Sequence, residues 1–229
     1  KKSTGSVTGT LEQDEPVFPL FYTVYKSNPV GTITITNDET AEIRNVVVKF
    51  RAGDYTSSEM ICGTIPLIKK HKSEKISLYA DFSDVILQFS EEGKIPGELV
   101  IEYELLGKKR SSVSQVIVPV YNRNQVRWTD NSVIASYIST GSQEVLELSR
   151  NLVGLARNHL RSGLNRNMQF AMYVFEGVRL CGIQCGADPS TPYSESHLDP
   201  SVLDYIQYPF QPLKYLSGNA DDSGRLRLA

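Results

Sequence analysis

The sequence predicts a two-domain α+β protein in which a β-sandwich is followed by a mainly helical domain. The chain has 229 residues, which suits two domains of about 100 to 150 residues each. Between Tyr121 and Trp128 the spacing of apolar residues changes from a period of two to a period of 3.6. No low-complexity linker separates the two patterns. We therefore expect domains at residues 1–121 and 122–229, in contact with each other.

The first domain is predicted from short β-branched and aromatic runs that alternate with turn residues between Val17 and Tyr121. These runs are "VGTITITND", "IRNVVVKF", "KISLYADF" and "GELVIEYELLGKKRSSVSQVIVPVY". In "TITIT" and "LVIEY" apolar and polar residues alternate, as a sheet with one buried face requires. "LLGKKR" is predicted to be a hairpin turn between two long strands. Strands repeated every ten residues or so predict a two-sheet sandwich of immunoglobulin type, without the Cys…Trp…Cys signature of antibodies.

The second domain is predicted to contain three helices. The first, Ser142 to Leu160, begins with Ser142 as N-cap, and its apolar stripe contains Val145, Leu148, Leu152, Leu155 and Ala156. The second runs from about Asn167 to Cys181 and ends at Gly182, because glycine adopts the left-handed conformation easily. A third, short helix is expected to begin with Asp199 as N-cap and to stop at Pro209.

Composition and charge argue against several function classes. The net charge of -2 gives no electrostatic reason to expect nucleic acid or an anionic membrane as a partner. No apolar run approaches the roughly 20 residues of a spanning helix. We see no glycine-rich phosphate loop, metal-binding cluster or cofactor motif, so we expect no cofactor and no metal. A chain that begins at Lys1 is expected to be a mature form or a fragment.

The cysteines Cys62, Cys181 and Cys185 cannot all pair with one another. The Cys-x-x-x-Cys spacing of the last two lacks the further ligands that a zinc site needs. Buried thiols are therefore favoured. A disulfide between Cys181 and Cys185 requires a sharp turn of the chain, which Gly182 and Gly186 would permit.

Near the end of the chain, the stretch "DPSTPYSE…LDYIQYPFQPLKYLSGNADD" resembles the segment before the catalytic cysteine of bacterial transglutaminase-like domains, in the papain-like cysteine peptidase superfamily. A typical form in that family is "YPxQTLxYxxGDCDDLS". The upstream segments "VFPLFYTVYKSNPVGTITITN", "YADFSDVIL" and "YNRNQVRWTDNSVIASYIS" are similar to a β domain that precedes such modules. The resemblance implies peptide or glutamine side-chain amides as substrates and a Cys-His-Asp triad.

The resemblance also implies that the chain is inactive. The glycine of the family motif matches Gly218, its first aspartate falls on Asn219, and its cysteine falls on Ala220. Its paired aspartates match Asp221 and Asp222. Alanine has no lone pair with which to attack a carbonyl. The histidine and aspartate of the family lie beyond the nucleophile helix, whereas this chain ends at Ala229.

The residues around Ala220 also suit a structural role. Asn219 can accept hydrogen bonds from the N–H groups of a helix start, and Asp221 and Asp222 would favour the positive end of the helix dipole. Tyr193, Tyr208 and Gln211 are candidates for the lining of a groove, although the polar, Pro-rich stretch around Tyr193 also suits an ordinary loop. A set made of Cys185, His197 and Asp199 is not expected to converge across that loop.

We therefore expect a non-catalytic binding or scaffolding module of an exported, extracytoplasmic bacterial protein, with a protein or peptide partner or a second copy of itself. The alternative is a truncated or mutated fragment of an active transglutaminase-like peptidase or amide-transfer enzyme. In this superfamily the nucleophile helix packs on a sheet made by later sequence. Leu213, Leu226 and Leu228 are therefore expected to be covered by the β domain, a second copy or a partner.

Overall fold

A computed structural model describes residues 6–127, 133–186, 202–219, 222, 226–227 and 229, without the side chains of Val133 and Ile134. It contains helices and several separate sheets, so the predicted α+β class is confirmed. The chain divides into two compact units, residues 1–123 and 124–229. The more detailed prediction of independent domains at residues 1–121 and 122–229 stays a prediction.

The first unit consists of two antiparallel sheets. Its strands are β1 (Val7–Glu12), β2 (Gly31–Asn37), β3 (Ile43–Arg51), β4 (Met60–Ile68), β5 (Ser73–Leu78), β6 (Gly93–Leu105) and β7 (Lys108–Val120). One sheet has the order β1-β2-β5 and the other the order β4-β3-β6-β7. Every pair of neighbouring strands in these sheets is antiparallel.

Both sheets contribute to one hydrophobic core. In β6 every second side chain from Ile95 to Leu105 is buried, which is the alternation that "LVIEY" predicted. Buried residues of β2 and β3, such as Ile33 and Val48, belong to the same core cluster. A Cβ added to Gly9 in β1 would lie 2.9 Å from Leu99 Cδ1. At Gly9, therefore, a larger residue would displace the Leu99 side chain of the facing sheet.

The hairpin predicted from "LLGKKR" is confirmed. Residue Leu105 of β6 is paired with Lys108 of β7, so Leu106 and Gly107 form a two-residue turn. Both turn residues have positive φ, 50° at Leu106 and 74° at Gly107. This is the backbone that joins right-twisted strands most easily.

Two strands of the first unit were absent from the sequence prediction. The predicted strand pattern began only at Val17, whereas β1 starts at Val7. The other, β4, contains Gly63 and Pro66, and both residue types weaken a strand assignment made from sequence. Long-range pairing with β2 and β3 stabilises these strands despite their weak local signals.

A buried polar cluster joins the ends of several strands in the first unit. The Glu39 carboxylate accepts a hydrogen bond of 2.8 Å from Tyr103 Oη. Asn37 Oδ1 accepts from Glu39 N, and Asn37 Nδ2 donates to the carbonyls of Ala41 and Ile68. Burial, followed by the bond to Glu39, raises the pKa of Tyr103 to about 12. The cluster therefore favours the neutral phenol in the folded state.

Among its described residues, the second unit contains four helices whose bounds are defined and four strands of two residues each. They are β8 (Gln125–Val126), α1 (Val133–Ser136), α2 (Gln143–His159), α3 (Arg166–Leu180), β9 (Gln184–Cys185), β10 (Asp204–Tyr205), α4 (Phe210–Tyr215) and β11 (Ser217–Gly218). β8 pairs antiparallel with β10, and β9 pairs parallel with β11.

The two long helices match their predictions closely. Ser142 Oγ accepts a hydrogen bond from Val145 N at the start of α2, as a Ser N-cap should. Gly182 has φ 73°, the left-handed conformation expected just beyond the end of α3. One residue of the predicted apolar stripe is wrong, since Leu155 is 59% exposed.

The predicted third helix is wrong in its described part. Asp204 and Tyr205 form β10, which pairs with β8 some 80 residues earlier in the chain. Pro209 does not end a helix but is the N-cap of α4. Asp199 and Pro200 lie outside the described residues. A long-range strand pair therefore decides the structure of residues 204 and 205.

The expected cover of the terminal leucines is also wrong. Leu226 is 4% exposed and forms a small core with Val145 of α2 and Val178 of α3. Leu213 packs against the same cluster. These leucines are thus covered within the second unit itself. Leu228 lies outside the described residues.

None of the three cysteines, all of which lie in the described part of the chain, forms a disulfide. Cys62 is buried, and burial raises the pKa of its thiol. Cys181 is half-buried and its pKa is also raised by burial. The expectation of buried thiols is wrong for Cys185, which is exposed.

The first prediction concerns the stability of the first unit in alkali. Burial raises the pKa of Tyr103, and of Tyr25, to about 12, above the ordinary value of about 10. The contribution of these two neutral phenols to the free energy of unfolding is complete below about pH 10 and is lost as the pH rises towards 12. We expect Tyr103→Phe to reduce this loss, measured by urea unfolding at several alkaline pH values. An unchanged pH dependence in the variant would contradict the role of Tyr103.

The second prediction compares two helical glycines. A Cβ added to Gly177 in α3 would overlap the Leu152 side chain of α2, whereas a Cβ added to Gly154 meets nothing within 4 Å. Gly154→Ala should raise the free energy of unfolding by about 0.5–1 kcal/mol through helix propensity. Gly177→Ala should lower it by about 1–3 kcal/mol through overpacking. Thermal unfolding followed by circular dichroism measures both, and equal effects would contradict the proposed contact.

Candidate functional site

The segment that resembles the nucleophile motif begins after α4. Gln211 N donates to Tyr208 O at the start of this short helix, and Leu216 N donates to Pro212 O at its end. Leu216 has φ 53°, a left-handed conformation that turns the chain out of the helix. Ser217 and Gly218 then form β11 and lead directly into Asn219.

Asn219 and Asp222 form a reciprocal cap at a helix start. Asn219 Oδ1 accepts a hydrogen bond of 2.8 Å from Asp222 N. Asp222 Oδ2 accepts one of 2.9 Å from Asn219 N. Asp222 is helical, and so are Leu226 and Arg227. This is the geometry of a capping box, and it places Asn219 at the predicted helix start.

The Asp222 carboxylate is committed to backbone contacts in the interior of the unit. Asp222 is only 3% exposed. Besides the bond from Asn219 N, its Oδ1 accepts a hydrogen bond of 3.2 Å from Gln207 N. One carboxylate therefore satisfies amides from two separate stretches of chain, so it fixes residue 207 relative to the helix start.

Gly218 lies in close contact with the side chain of Asp222. A Cβ on residue 218 would lie 3.1 Å from Asp222 Cβ and 3.3 Å from Asp222 Oδ2. Both distances are shorter than ordinary van der Waals contact between such atoms. A larger residue at 218 would press on the side chain that closes the cap.

The strand before Asn219 places Cys185 beside this site. Gln184 N donates to Leu216 O, and Gly186 N donates to Gly218 O. Cys185 is the parallel partner of Gly218, and its side chain is exposed. The chain turns at Gly182, which was the condition for a disulfide between Cys181 and Cys185, but the two residues are not joined by a disulfide.

Tyr208 and Gln211, the candidates for the lining of a groove, lie mostly buried in the second unit. They are only 8% and 5% exposed. Gln211 Oε1 accepts hydrogen bonds from Tyr208 N and from Asn124 Nδ2, both of 2.7 Å. The Tyr208 ring lies 5.8 Å from the ring of Tyr137, centroid to centroid. Both residues are thus part of the interior, because their polar groups complete a buried network rather than face a ligand.

The remaining predicted site residues cannot be placed. Ala220, Asp221, Tyr193, His197 and Asp199 lie outside the described residues. Of the motif residues that the structure describes, Gly218, Asn219 and Asp222 lie together at the helix start.

Sequence reasoning missed the partners that hold this site in place. Asn124 O accepts from Ile206 N, and Asn124 Nδ2 donates to Ile206 O. The same Asn124 amide reaches Gln211, 87 residues away in the chain. A single polar residue after a long strand gives no signal of such a pairing. In the sequence, the only local indication of a buried contact was the polar Gln211 beside the apolar residues of α4.

Neither a metal site nor a membrane-spanning helix is present among the described residues. Over these residues, no group of three His, Cys, Asp or Glu side chains is placed to hold a metal ion. None of the helices searched has the length and apolar character needed to cross a membrane.

Comparisons with known proteins give little further information. No protein-family model and no curated protein matches the chain. One solved structure with detectable likeness is a family 123 glycoside hydrolase from Clostridium perfringens, reported in connection with glycolipid glycan hydrolysis. The match has 11% identity and a TM-score of 0.25, and covers 66% of this chain and 36% of the hydrolase chain. A likeness this weak bears on neither the fold nor the function of this chain.

The third prediction tests the capping box. Asp222→Ala removes the acceptor of two backbone amides, so we expect the free energy of unfolding to fall by about 2–3 kcal/mol. Asp222→Asn keeps one acceptor oxygen and should lose roughly half as much. Urea unfolding monitored by circular dichroism measures both variants. If Asp222→Asn and Asp222→Ala were both as stable as the parent protein, the capping box would contribute nothing to the free energy of unfolding.

Proposed function

We propose that the chain is a non-catalytic binding or scaffolding module derived from a transglutaminase-like protein, with Ala220 in the position of the nucleophile. The observation that supports this proposal is the capping box between Asn219 and Asp222, directly after Gly218. These are three positions at which the resemblance aligns the chain with the family motif. Protein or peptide partners and an extracytoplasmic location belong to the same proposal.

The chemistry of a helix start explains what the Ala220 position would contribute in an active relative. Unpaired N–H groups and the helix dipole make the first turn electropositive. A cysteine there would have a lowered pKa and a larger thiolate fraction. Alanine has no ionisable group, so the same environment supports no nucleophile. Asp222 is occupied by backbone amides, which gives it a structural role in this proposal.

The first unit enters the proposal as an immunoglobulin-like carrier of the binding surface. Its two antiparallel sheets of three and four strands around one core support that architecture. Sandwiches of this kind are common in cell-surface proteins, which agrees with the proposed location.

The fourth prediction uses the thiol that the Ala220 position lacks. In a Cys185→Ser background, which removes the exposed native thiol, Ala220→Cys should react with iodoacetamide at neutral pH. Dipole stabilisation of the thiolate by about 0.3–1 kcal/mol predicts a rate about two to five times that of a thiol in mid-helix. The matched control is Asn151→Cys, at an exposed position within α2.

Reactivity should rise in Ala220→Cys while turnover stays at background, because turnover also needs a positioned general base and the proposal assigns none to this chain. Hydrolysis of peptides and transfer from glutamine side chains are the assays. Turnover by the parent chain would contradict the proposal and point to another nucleophile, such as Cys185. Turnover only in Ala220→Cys would favour the alternative, a mutated fragment of an active enzyme. If the thiol of Ala220→Cys did not react with iodoacetamide, "SGNADD" would be an ordinary capped helix start.

A further inference from the structure

Two turns at one end of the first unit bring an exposed leucine and a group of lysines together. Ile43 at the start of β3 pairs with Ile68 at the end of β4 and, on its other side, with Leu105 at the end of β6. Neighbouring strands lie about 4.8 Å apart, so the turns that follow Ile68 and Leu105 begin roughly 10 Å from each other. These turns and the start of β7 contain six residues that we call the lysine end, namely Lys69, Lys70, Lys72, Leu106, Lys108 and Lys109.

The ammonium groups of the lysine end have no carboxylate partners. All five lysines are exposed, and none forms an ion pair or a side-chain hydrogen bond within the described part of the chain.

Most carboxylates at this end of the first unit are already occupied. Asp38, Glu39 and Glu42 each lie within 3.8 Å of a different basic side chain, those of His71, Arg110 and Arg44 respectively. Glu74 and Glu104 form no ion pair among the described residues. Five unpaired lysines therefore face two such carboxylates, and the end is positive although the net charge of the whole chain is -2.

Leu106 stands at the tip of the hairpin in an unfavourable backbone conformation. It is 78% exposed and has a φ of 50°. The left-handed region crowds the Cβ of an L-residue, and Asn, Asp or Gly is therefore the usual residue at the first position of such a turn. The stability of the hairpin does not account for an exposed leucine at this position. A backbone outlier of this kind indicates a role outside the fold.

The surface of an anionic lipid bilayer matches both features of the lysine end. Anionic headgroups attract lysines without requiring a fixed geometry. A leucine that passes between the headgroups reaches an apolar phase. Nucleic acids and acidic polysaccharides would attract the same lysines, but they offer no apolar phase to an aliphatic side chain at the tip of a turn.

We propose that the lysine end docks the first unit on an anionic membrane surface, with Leu106 inserted between the lipid headgroups. This inference goes beyond the proposed function, because it involves neither a protein partner nor the region around Ala220. The whole chain gave no electrostatic reason to expect such a surface as a partner, but the fold collects the lysines at one place.

The test is co-sedimentation of the full chain with vesicles of phosphatidylcholine, prepared with or without phosphatidylglycerol. We expect binding to the mixed vesicles, at least about tenfold weaker binding to phosphatidylcholine alone, and a loss of affinity as salt is added. Each lysine near a charged surface contributes about fivefold to the affinity. Lys108→Gln and Lys109→Gln should therefore each weaken binding about fivefold, and together about 25-fold.

Leu106→Asn distinguishes docking from folding. Asparagine adopts the left-handed backbone more easily than leucine, so this variant should be at least as stable as the parent protein in urea unfolding. Loss of the apolar side chain should weaken vesicle binding about tenfold. Unfolding cannot produce weaker binding together with unchanged or higher stability.

Lys94→Gln is the matched control for the lysine variants. Lys94 is exposed and lies near the start of β6, at the opposite end of that strand from the hairpin. Its replacement should leave vesicle affinity unchanged. Equal affinity for both kinds of vesicle, binding to neither, or an equal loss in Lys94→Gln would overturn the proposal.

A second assay measures binding to heparin and to a short DNA duplex. Binding to either polymer that requires Lys108 and Lys109 but not Leu106, without binding to vesicles, would assign the lysines to an anionic polymer and overturn the proposal. Vesicle binding that Leu106→Asn leaves unchanged would contradict insertion and overturn it as well. Turnover is assayed separately, so catalysis by the chain would refute the proposed non-catalytic role and leave this inference intact.

Discussion

Satisfaction of buried backbone polar groups is the constraint that shapes the second unit. Its strands have two residues each, so sheet ladders pair few of the amides and carbonyls between residues 204 and 222. Three buried side chains supply partners instead: Asn124 for Ile206, Gln211 for Tyr208, and Asp222 for Gln207 and Asn219. Since an unpaired buried amide costs about 1–3 kcal/mol, these contacts fix the path of the chain. The position of the helix start follows from them.

The first unit meets the same constraint in the opposite way. Strands β6 and β7, with 13 residues each, pair along their whole length. Side chains are then left free to build a core, and the few buried polar ones, such as Asn37 and Glu39, serve the places where strands end. The two units thus show how the length of regular elements decides whether ladders or side chains hold the backbone.

This difference explains what could be predicted from the sequence. Features decided within a few residues were correct, including the turn at Leu106 and Gly107, the Ser142 cap and the left-handed Gly182. The Asn219 cap also depends on local chemistry and was predicted. Errors fall where distant partners decide: β10 exists because it pairs with β8, and Gln211 is buried because Asn124 reaches it. No local pattern encodes contacts across about 80 residues of chain.

The close approach of Gly218 to Asp222 limits the substitutions that this segment can accept during evolution. A Cβ at position 218 would lie 3.1 Å from Asp222 Cβ and 3.3 Å from Asp222 Oδ2, and removing the Asp222 carboxylate would relieve only the second contact while abolishing the cap. Two residues in such contact do not act additively, so the effect of either substitution depends on the other. The effects of substitutions at positions 218 and 222 are therefore expected to be coupled. Keeping both residues preserves the reciprocal cap, whichever residue stands at position 220.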